Sequence, residues 1–413
     1  MALAGLALLL SVLSPRAVAK DAAQPSQVLP IRQIVAIALA SRVAVLLVGY
    51  CAATTIGYDL KPLQYRLSHN ELWNLPARWD AGWYLGIARQ GYKWNPELAG
   101  RQQSVAFFPA YPALMRLGGE VVTAPAHILK DPSFLGNGNT RVTWGGVLVS
   151  IAAFVFALIQ FYHLATLISR NGRTALAAVI LLAAWPFALF FSAPYSESLF
   201  LLCSISATLE LYRNRRGVSF LWGLLAGLTR PNGWALGASL LVLALRRGDR
   251  PIHTLVASSG PPLGTALFSL YIWHLSSDPL AWMHAQAGWG REFSAFGAIT
   301  SRIALIRDIG VTRYVVTDPV DLLTVVSVVT SVVGIALAVR RFGWYLAAFP
   351  ALYVLPALVL NLPATGRMTS VLFPAFIGIA STIPRTGCFI IAAVFAALQL
   401  WLSLRFFTWQ TPF

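Results

Sequence analysis

Residues 143–168 read TWGGVLVSIAAFVFALIQFYHLATLI and contain no Asp, Glu, Lys or Arg. A helix needs about 20 consecutive apolar residues to cross the hydrocarbon core of a bilayer. This stretch therefore predicts a membrane-spanning helix. Nine more apolar runs of comparable character lie at 33–54, 174–193, 197–212, 218–245, 253–275, 319–339, 342–360, 367–383 and 387–406.

The composition of the whole chain agrees with this pattern. Of its 413 residues, 57% are hydrophobic and 11% are charged, whereas a soluble domain carries about 25% charged residues. A soluble enzyme, a disordered chain and a coiled coil are thereby excluded. The runs are also far longer than the roughly 10-residue strands of an outer-membrane barrel. The sequence thus predicts an all-α polytopic membrane protein.

The basic residues predict how the chain crosses the membrane. The net charge of +16 fits the accumulation of Lys and Arg in cytoplasmic loops, so we expect no nucleic-acid partner. Short basic loops lie at 170–173, 213–216, 246–250, 340–341 and 385. They all face the cytoplasm only if 218–245 enters and leaves on one side, which its break at Arg230-Pro231-Asn232-Gly233 permits. We expect about nine crossings plus this re-entrant hairpin, with the N-terminus cytoplasmic and the C-terminus extracytoplasmic.

This orientation gathers the unusual polar residues on one side. The segments 55–140, 192–198, 276–317 and 361–367 all become extracytoplasmic, and a site is expected there. The domain prediction is a signal-like or disordered N-terminal extension over 1–30, followed by a single transmembrane domain over 31–413. That domain includes the long outer loops 55–140 and 276–317.

The first outer loop holds the leading candidate for chemistry. Apolar residues at 83, 84, 87 and 88 predict a short amphipathic helix on the outer leaflet, beginning near Asp80. Asp80 is either a functional carboxylate or an ordinary N-cap, and Trp79 and Trp83 are either site residues or interfacial anchors. Further along, two prolines in FFPAYP (107–112) indicate a bent, aromatic-lined wall or a helix entry.

A set of short motifs follows in a fixed order along the chain. They are RWDA (78–81), IA (87–88), GY (91–92), AFFP (106–109) with Pro112, PYSESLF (194–200), Gly223 and Gly227 before RPNG (230–233), AQ (285–286) with WGR (289–291), and GRM (366–368) before FP (373–374). Together they resemble the PIG-V family, the GPI mannosyltransferase 2 type enzymes, which have bacterial relatives. The resemblance spans about 75–405, and in the last motif Met368 stands where an aromatic residue is more usual.

The resemblance implies a GT-C glycosyltransferase bundle whose site faces away from the cytoplasm. It implies transfer of a sugar, most readily mannose, from a polyprenyl-phosphate donor to a hydroxyl of a glycolipid or lipoglycan. GT-C enzymes carry an acidic residue in the first outer loop, and Asp80 matches it. A carboxylate there accepts the proton of the attacking hydroxyl as the bond forms with inversion, and negative charge favours an oxocarbenium-like transition state.

The remaining candidates follow from the same reaction. The leaving phosphate needs cationic donors, and an arginine fork matches its oxygens. The phosphate-binding candidates are Arg78, Arg230, Arg291 and Arg367. The sugar- and acceptor-binding candidates are Glu197, Tyr195, Gln286, Trp79 and Trp83. No His/Asp spacing typical of a metal site occurs, so no cofactor or metal is expected to be required, although a bound cation stays open.

Two other functions compete with this reading. Polar residues at membrane depth also suit a polytopic lipid or sugar transporter or flippase, but no second copy of RWDA or PYSE is present. A non-catalytic subunit of a glycosyltransferase complex would not need Asp80. The expected partners are the lipid bilayer, the donor lipid and a glycolipid acceptor. Composition favours a bacterial plasma membrane, an endoplasmic reticulum location stays open, and so does the oligomeric state.

Overall fold

A computed structural model describes residues 30–59, 66–128, 136–290, 297–359 and 365–410. Over these ranges the chain forms helices and no strand, which confirms the all-α prediction. The predicted extension 1–30 lies outside the described residues except for Pro30, and the division into domains stays a prediction.

The α-helices, in chain order, are α1 Ile31–Thr55, α2 Glu71–Asn74, α3 Ala81–Gln90, α4 Ala110–Ile128, α5 Gly138–Ser169, α6 Gly172–Ala184, α7 Glu197–Tyr212, α8 Arg216–Gly227, α9 Trp234–Arg246, α10 Pro251–Ser276, α11 Ala281–His284, α12 Gly297–Ile309, α13 Val311–Thr317, α14 Pro319–Phe342, α15 Ala348–Val359, α16 Thr365–Thr369, α17 Phe373–Thr382 and α18 Arg385–Phe407. Short 3-10 helices cover Pro96–Leu98, Ser104–Ala106, Pro186–Ser192, Pro231–Gly233, Ala285–Trp289 and Trp344–Ala347.

Five of the described helices are long and apolar enough to cross a membrane. They are α1, α5, α10, α14 and α18, and a bent pair formed by α6 and the 3-10 helix Pro186–Ser192 makes a sixth if it counts as one span. Large apolar side chains on α1 and α14 point outward, among them Val43, Leu47, Val329 and Val332, as expected for a surface covered by lipid. The polytopic architecture is confirmed, and the count of nine crossings stays a prediction.

The run at 174–193 is not the single helix that its hydropathy suggests. Helix α6 ends at Ala184, and the chain continues at an angle of 77° into the 3-10 helix Pro186–Ser192. Pro186 cannot donate a backbone hydrogen bond and its ring disfavours a continuous helix. Arg42 on α1 donates to the carbonyls of Ala183 and Ala188 around this bend. The bend carries the chain directly to the N-terminus of α7.

The break at Arg230–Gly233 produces a hairpin, as the sequence predicts. Helices α8 and α9 both pack on α10, since a Cβ at Gly227 would lie 2.0 Å from the carbonyl oxygen of Pro261 and one at Gly237 would lie 2.8 Å from Cδ of Pro262. The two ends of the hairpin meet, because Arg216 bonds Asp249 at 2.7 Å. The hairpin therefore starts and finishes at one end of the bundle and carries Arg230 at its tip.

The first outer loop contains more helix than its mixed sequence suggests. Helix α3 buries Tyr84, Leu85, Ile87 and Ala88, while Gly82, Trp83 and Gly86 on its other face are half-buried, in agreement with the predicted amphipathic helix. Helix α4 packs tightly on α5, where a Cβ at Gly145 would lie 2.2 Å from the amide nitrogen of Gly119. This packing fixes the segment between α3 and α4 against the bundle.

Candidate active site

The turn before α3 aims the carboxylate of Asp80 away from its own helix. Asp80 occupies the N-cap position, but its side chain makes no capping hydrogen bond. Trp79 has a φ of +52°, an uncommon left-handed conformation for a bulky residue. The Asp80 amide donates to the hydroxyl of Tyr195 at 2.9 Å. Strained backbone next to a carboxylate that does not cap its helix is typical of a functional site.

Four charged side chains from four separate segments form one chain of ion pairs. Nη1 of Arg367 donates to Oδ2 of Asp80 at 3.0 Å. Nε of Arg367 lies 3.0 Å from Oε1 of Glu197. The same oxygen of Glu197 lies 2.8 Å from Nη1 of Arg230. Two acids and two arginines thus alternate, and their formal charges cancel. The attraction between them offsets the free-energy cost of removing the charges from water.

The ion-pair chain borders a cavity with about 420 Å³ of empty space. Its walls combine charged, hydroxyl and aromatic side chains. The lining residues are Asp80, Tyr84, Ala106, Phe107, Phe108, Ser196, Thr229, Arg230, Pro231, Gln286, Trp289 and Arg367. Asp80, Gln286, Arg230 and Arg367, each selected from the sequence as a candidate, therefore meet in one cavity although they are up to 287 positions apart.

The two carboxylates of the chain have different environments. The side chain of Asp80 is 17% exposed, whereas that of Glu197 is 1% exposed. Glu197 does not line the cavity and instead lies against both arginines at the start of α7. Asp80 is consequently the carboxylate that a ligand in the cavity can reach, and Glu197 holds the two guanidinium groups in position.

An aromatic and hydroxyl wall completes the cavity. Tyr84 donates a hydrogen bond from its hydroxyl to Oγ of Ser196 at 3.0 Å. Burial, together with the charge of Glu197, raises the pKa of Tyr84 to about 12, so its hydroxyl remains protonated at neutral pH. The side-chain amide of Gln286 donates to the carbonyl of Ala106 at 3.1 Å, which joins the 285–289 helix to the aromatic wall.

The other candidates lie outside the cavity lining. Arg78 is fully buried, and its guanidinium donates to the carbonyls of Asn74 and Phe407 and to the hydroxyl of Tyr58. Trp79 donates from its indole nitrogen to the carbonyl of Phe406 at 3.3 Å. Arg78 and Trp79 therefore join the first outer loop to the end of α18, and we do not assign them to the ligand.

Two more candidates, Tyr195 and Trp83, contact residues that line the cavity. Tyr195 accepts the Asp80 amide, and its ring lies 5.4 Å from the guanidinium carbon of Arg367. Trp83 stacks on Phe107 with ring centroids 6.0 Å apart. Arg291 lies outside the described residues. Tyr84, Ser196 and Thr229 are site residues that the sequence did not single out; Tyr84 follows Asp80 by four positions, which is the spacing of neighbours on a helix.

The described residues at this site do not form a cluster of metal ligands. Within the described ranges, no group of three or more His, Cys, Asp or Glu side chains comes together as a metal site. The carboxylates nearest the cavity are each paired with arginine. The expectation that no metal is required stays a prediction.

A comparison with known protein families matches part of the chain. Residues 61–246 match the family described as Mannosyltransferase (PIG-V). The match covers a little under half of the 413 residues. The matching range includes Asp80, Glu197 and Arg230, while Arg367 comes from beyond it. The resemblance seen in the motifs is thereby confirmed.

Several curated relatives of this chain carry GPI mannosyltransferase names. The GPI alpha-1,6-mannosyltransferase 2 of Mus musculus is 32% identical over 162 residues, which is 38% of this chain and 29% of the relative. The human protein of that name is 29% identical over the same shares. GPI mannosyltransferase pigv-1 of Caenorhabditis elegans is 26% identical over 155 residues, which is 37% of this chain and 21% of the relative. The chain thus spans less than a third of the length of these relatives.

Proposed function

We propose that this chain is a PIG-V-type membrane mannosyltransferase that moves mannose from a polyprenyl-phosphate donor to a hydroxyl of a glycolipid or lipoglycan. The observation that carries the proposal is the position of Asp80 beside Arg230 and Arg367 in one cavity. A reaction of this kind needs a proton acceptor near the attacking oxygen and cations near the leaving phosphate, and the cavity offers both.

In the proposed reaction, the acceptor oxygen attacks the anomeric carbon of mannose and its proton passes to the carboxylate of Asp80. The bond from that carbon to the phosphate oxygen breaks, and the electron pair leaves with the lipid phosphate. Attack opposite the leaving group inverts the anomeric centre, so a β-linked donor gives an α-mannoside. The negative charge of Asp80 also favours the oxocarbenium-like transition state.

Arg367 has two tasks in this proposal. In the structure its Nη1 donates to Asp80 and its Nε faces Glu197. A phosphate monoanion or dianion that enters the cavity competes with Asp80 for the guanidinium. Phosphate binding then releases the carboxylate for proton transfer, while Glu197 keeps Arg367 and Arg230 in place.

The test is transfer by the purified full chain in liposomes, with radiolabelled polyprenyl-phosphate-mannose and the extracted glycolipids of the source membrane. We expect Asp80→Asn to lower the rate by about 100-fold or more, because the amide cannot accept the proton. Asp278→Asn is the matched control, since Asp278 lies in the second predicted outer loop, where it bonds His284 outside the cavity lining. It should leave the rate within about twofold.

Two results would overturn the proposal. The first is unchanged transfer by Asp80→Asn in correctly folded protein, which would remove the general base. The second is movement of the labelled lipid across the liposome membrane with no sugar transferred, which favours the flippase alternative. A non-catalytic subunit would show neither transfer nor flipping in the wild-type protein.

A further inference from the structure

A second, larger depression lies next to the active-site cavity, on the half-buried face of α3. It holds about 1180 Å³ of empty space between α3 and the segment 93–104. We call it the α3 groove. Trp83 lines the groove and stacks on Phe107, which lines the active-site cavity. The stacked pair of Trp83 and Phe107 therefore lies between the α3 groove and the active-site cavity.

The α3 groove has the side chains that sugars bind. Its described lining contains two tryptophans, Trp83 and Trp94, with the amides of Gln90, Asn95 and Gln102. The apolar faces of a hexose stack on indole rings, and its hydroxyls exchange hydrogen bonds with amide groups, which both donate and accept. Among the lining residues that the structure describes, Lys93 is present and no residue is acidic, so a cationic ligand is disfavoured.

Two glycines leave the backbone of α3 accessible on the floor of the α3 groove. Gly82 and Gly86 line it from successive turns of α3. Among the described residues, no atom lies within 4 Å of the place where a Cβ of Gly86 would stand. A ring can therefore approach the helix closely, as glycine positions permit where a ligand meets the backbone.

We propose that the α3 groove is a carbohydrate subsite that holds the sugar headgroup of the acceptor while its reacting hydroxyl enters the active-site cavity. The role as acceptor subsite rests on the proposed transfer reaction. The binding of sugar does not, because it depends on the groove alone. The orientation predicted for the first outer loop places the groove on the extracytoplasmic face, where an acceptor headgroup lies.

The open space at Gly86 allows a direct test by steric blocking. The full chain is placed in lipid nanodiscs without glycoside detergent, and saturation-transfer NMR is recorded with methyl α-mannoside, methyl α-glucoside and N-acetylglucosamine. We expect at least one of these sugars to bind the wild-type protein, and Gly86→Phe to weaken that binding by about tenfold or more. Gly86→Ala should bind as the wild type does, because one methyl group leaves the groove open.

Two controls separate the groove from the fold and from the chemistry. Gly217→Phe is matched, since Gly217 is exposed near the start of α8 and no atom of a described residue lies within 4 Å of its Cβ position. Asp80→Asn should keep sugar binding while it loses transfer. If Asp80→Asn keeps transfer, the proposed function fails and the sugar subsite stands.

The inference is overturned by any of three results. These are the absence of binding by all three sugars to the wild-type protein, equal binding by Gly86→Phe, and equal loss of binding in Gly86→Ala and Gly86→Phe. The last result would mean that a change in α3, and not occlusion of the groove, controls binding.

Discussion

Two pairs of buried arginines in this protein have opposite kinds of partner. We call Arg42 and Arg78 the carbonyl-bound arginines. In the described part of the chain, each nitrogen of their guanidinium groups donates a hydrogen bond to an uncharged oxygen. Arg230 and Arg367, the carboxylate-bound arginines, meet the oxygens of Asp80 and Glu197 at the edge of a cavity. Arg42 and Arg78 are fully buried, and the side chains of Arg230 and Arg367 are only 12% and 8% exposed, so burial alone does not identify a functional arginine.

The difference lies in whether a ligand can replace the partner. The acceptors of Arg42 and Arg78 are mostly backbone carbonyls, fixed by the fold, such as those of Ala183 and Phe407. A carboxylate beside a cavity is different, because a phosphate offers the same charge and a similar geometry to the guanidinium. We therefore expect the carbonyl-bound arginines to affect stability and the carboxylate-bound arginines to affect catalysis.

The largest expected effect is that of Arg367→Lys on transfer. Arg367 uses Nη1 toward Asp80 and Nε toward Glu197, and a single ammonium group cannot reproduce this forked arrangement. Arg367 binds the leaving phosphate in the proposed reaction, so we expect its loss to lower the transfer rate by about 100- to 1000-fold. The measurement is the rate at saturating donor in the liposome assay.

Arg385→Lys is the control for that substitution, because Arg385 lies at the start of α18 with its guanidinium over the ring of Phe389. Its transfer rate should equal that of the wild type. Full activity of Arg367→Lys would contradict the comparison, since charge without the fork would then be sufficient.

The next effect is on stability and comes from Arg42→Met. This change keeps side-chain bulk but removes the donors to the Ala183 and Ala188 carbonyls and to Oε1 of Gln399. The Ala183 carbonyl still accepts a hydrogen bond from the Gln399 amide, but loss of the other buried hydrogen bonds costs about 2–4 kcal/mol in the free energy of unfolding. Denaturant titration of the purified protein measures the loss, and transfer by the folded fraction should stay within about threefold of the wild type.

Arg32→Met serves as the matched variant on the same helix, because Arg32 is exposed on α1. It should leave stability unchanged. The comparison would be contradicted if folded Arg42→Met lost most of its specific activity but little stability. Arg42 would then affect catalysis, as the carboxylate-bound arginines are expected to do.

The sequence predicted much of the site because its residues stand in locally recognisable motifs. Asp80 follows Arg-Trp, Glu197 stands within Pro-Tyr-Ser-Glu-Ser, and Arg230 opens a Pro-Asn-Gly break. The positive-inside rule predicts that several of these segments lie on one side of the membrane. The hairpin was also predictable, since Pro and Gly disrupt a helix by known local effects.

Partner identity was not predictable, because it depends on contacts between distant segments. Arg78 stands in the same motif as Asp80, yet its acceptors include a carbonyl 329 positions away. The run at 174–193 contains no charged residue, and hydropathy does not predict the 77° bend next to Pro186. Motifs thus identify residues that matter, while packing decides which of them face a ligand.

The smallest expected effect tests whether a carboxylate partner is sufficient without a cavity. Arg216 bonds Asp249 at 2.7 Å where the two ends of the hairpin meet, outside the active-site lining. We expect Asp249→Asn to leave transfer unchanged and to lower the free energy of unfolding by about 0.5 kcal/mol, as for an ion pair near the protein surface. Loss of transfer comparable to that of Arg367→Lys would show that ion pairing alone, and not the cavity, marks the important arginines.

The pH dependence of this pair has a definite sign. The hydrogen bond from Arg216 holds the pKa of Asp249 below its usual range, so the folded state binds this proton less readily than the unfolded state does. The ion pair therefore stabilises the protein above about pH 4, the ordinary aspartate value, and its contribution falls as the pH drops through the lowered pKa. Denaturant titrations of the wild type and Asp249→Asn at several pH values should differ at neutral pH and converge in acid, because only the wild type loses a charged partner there.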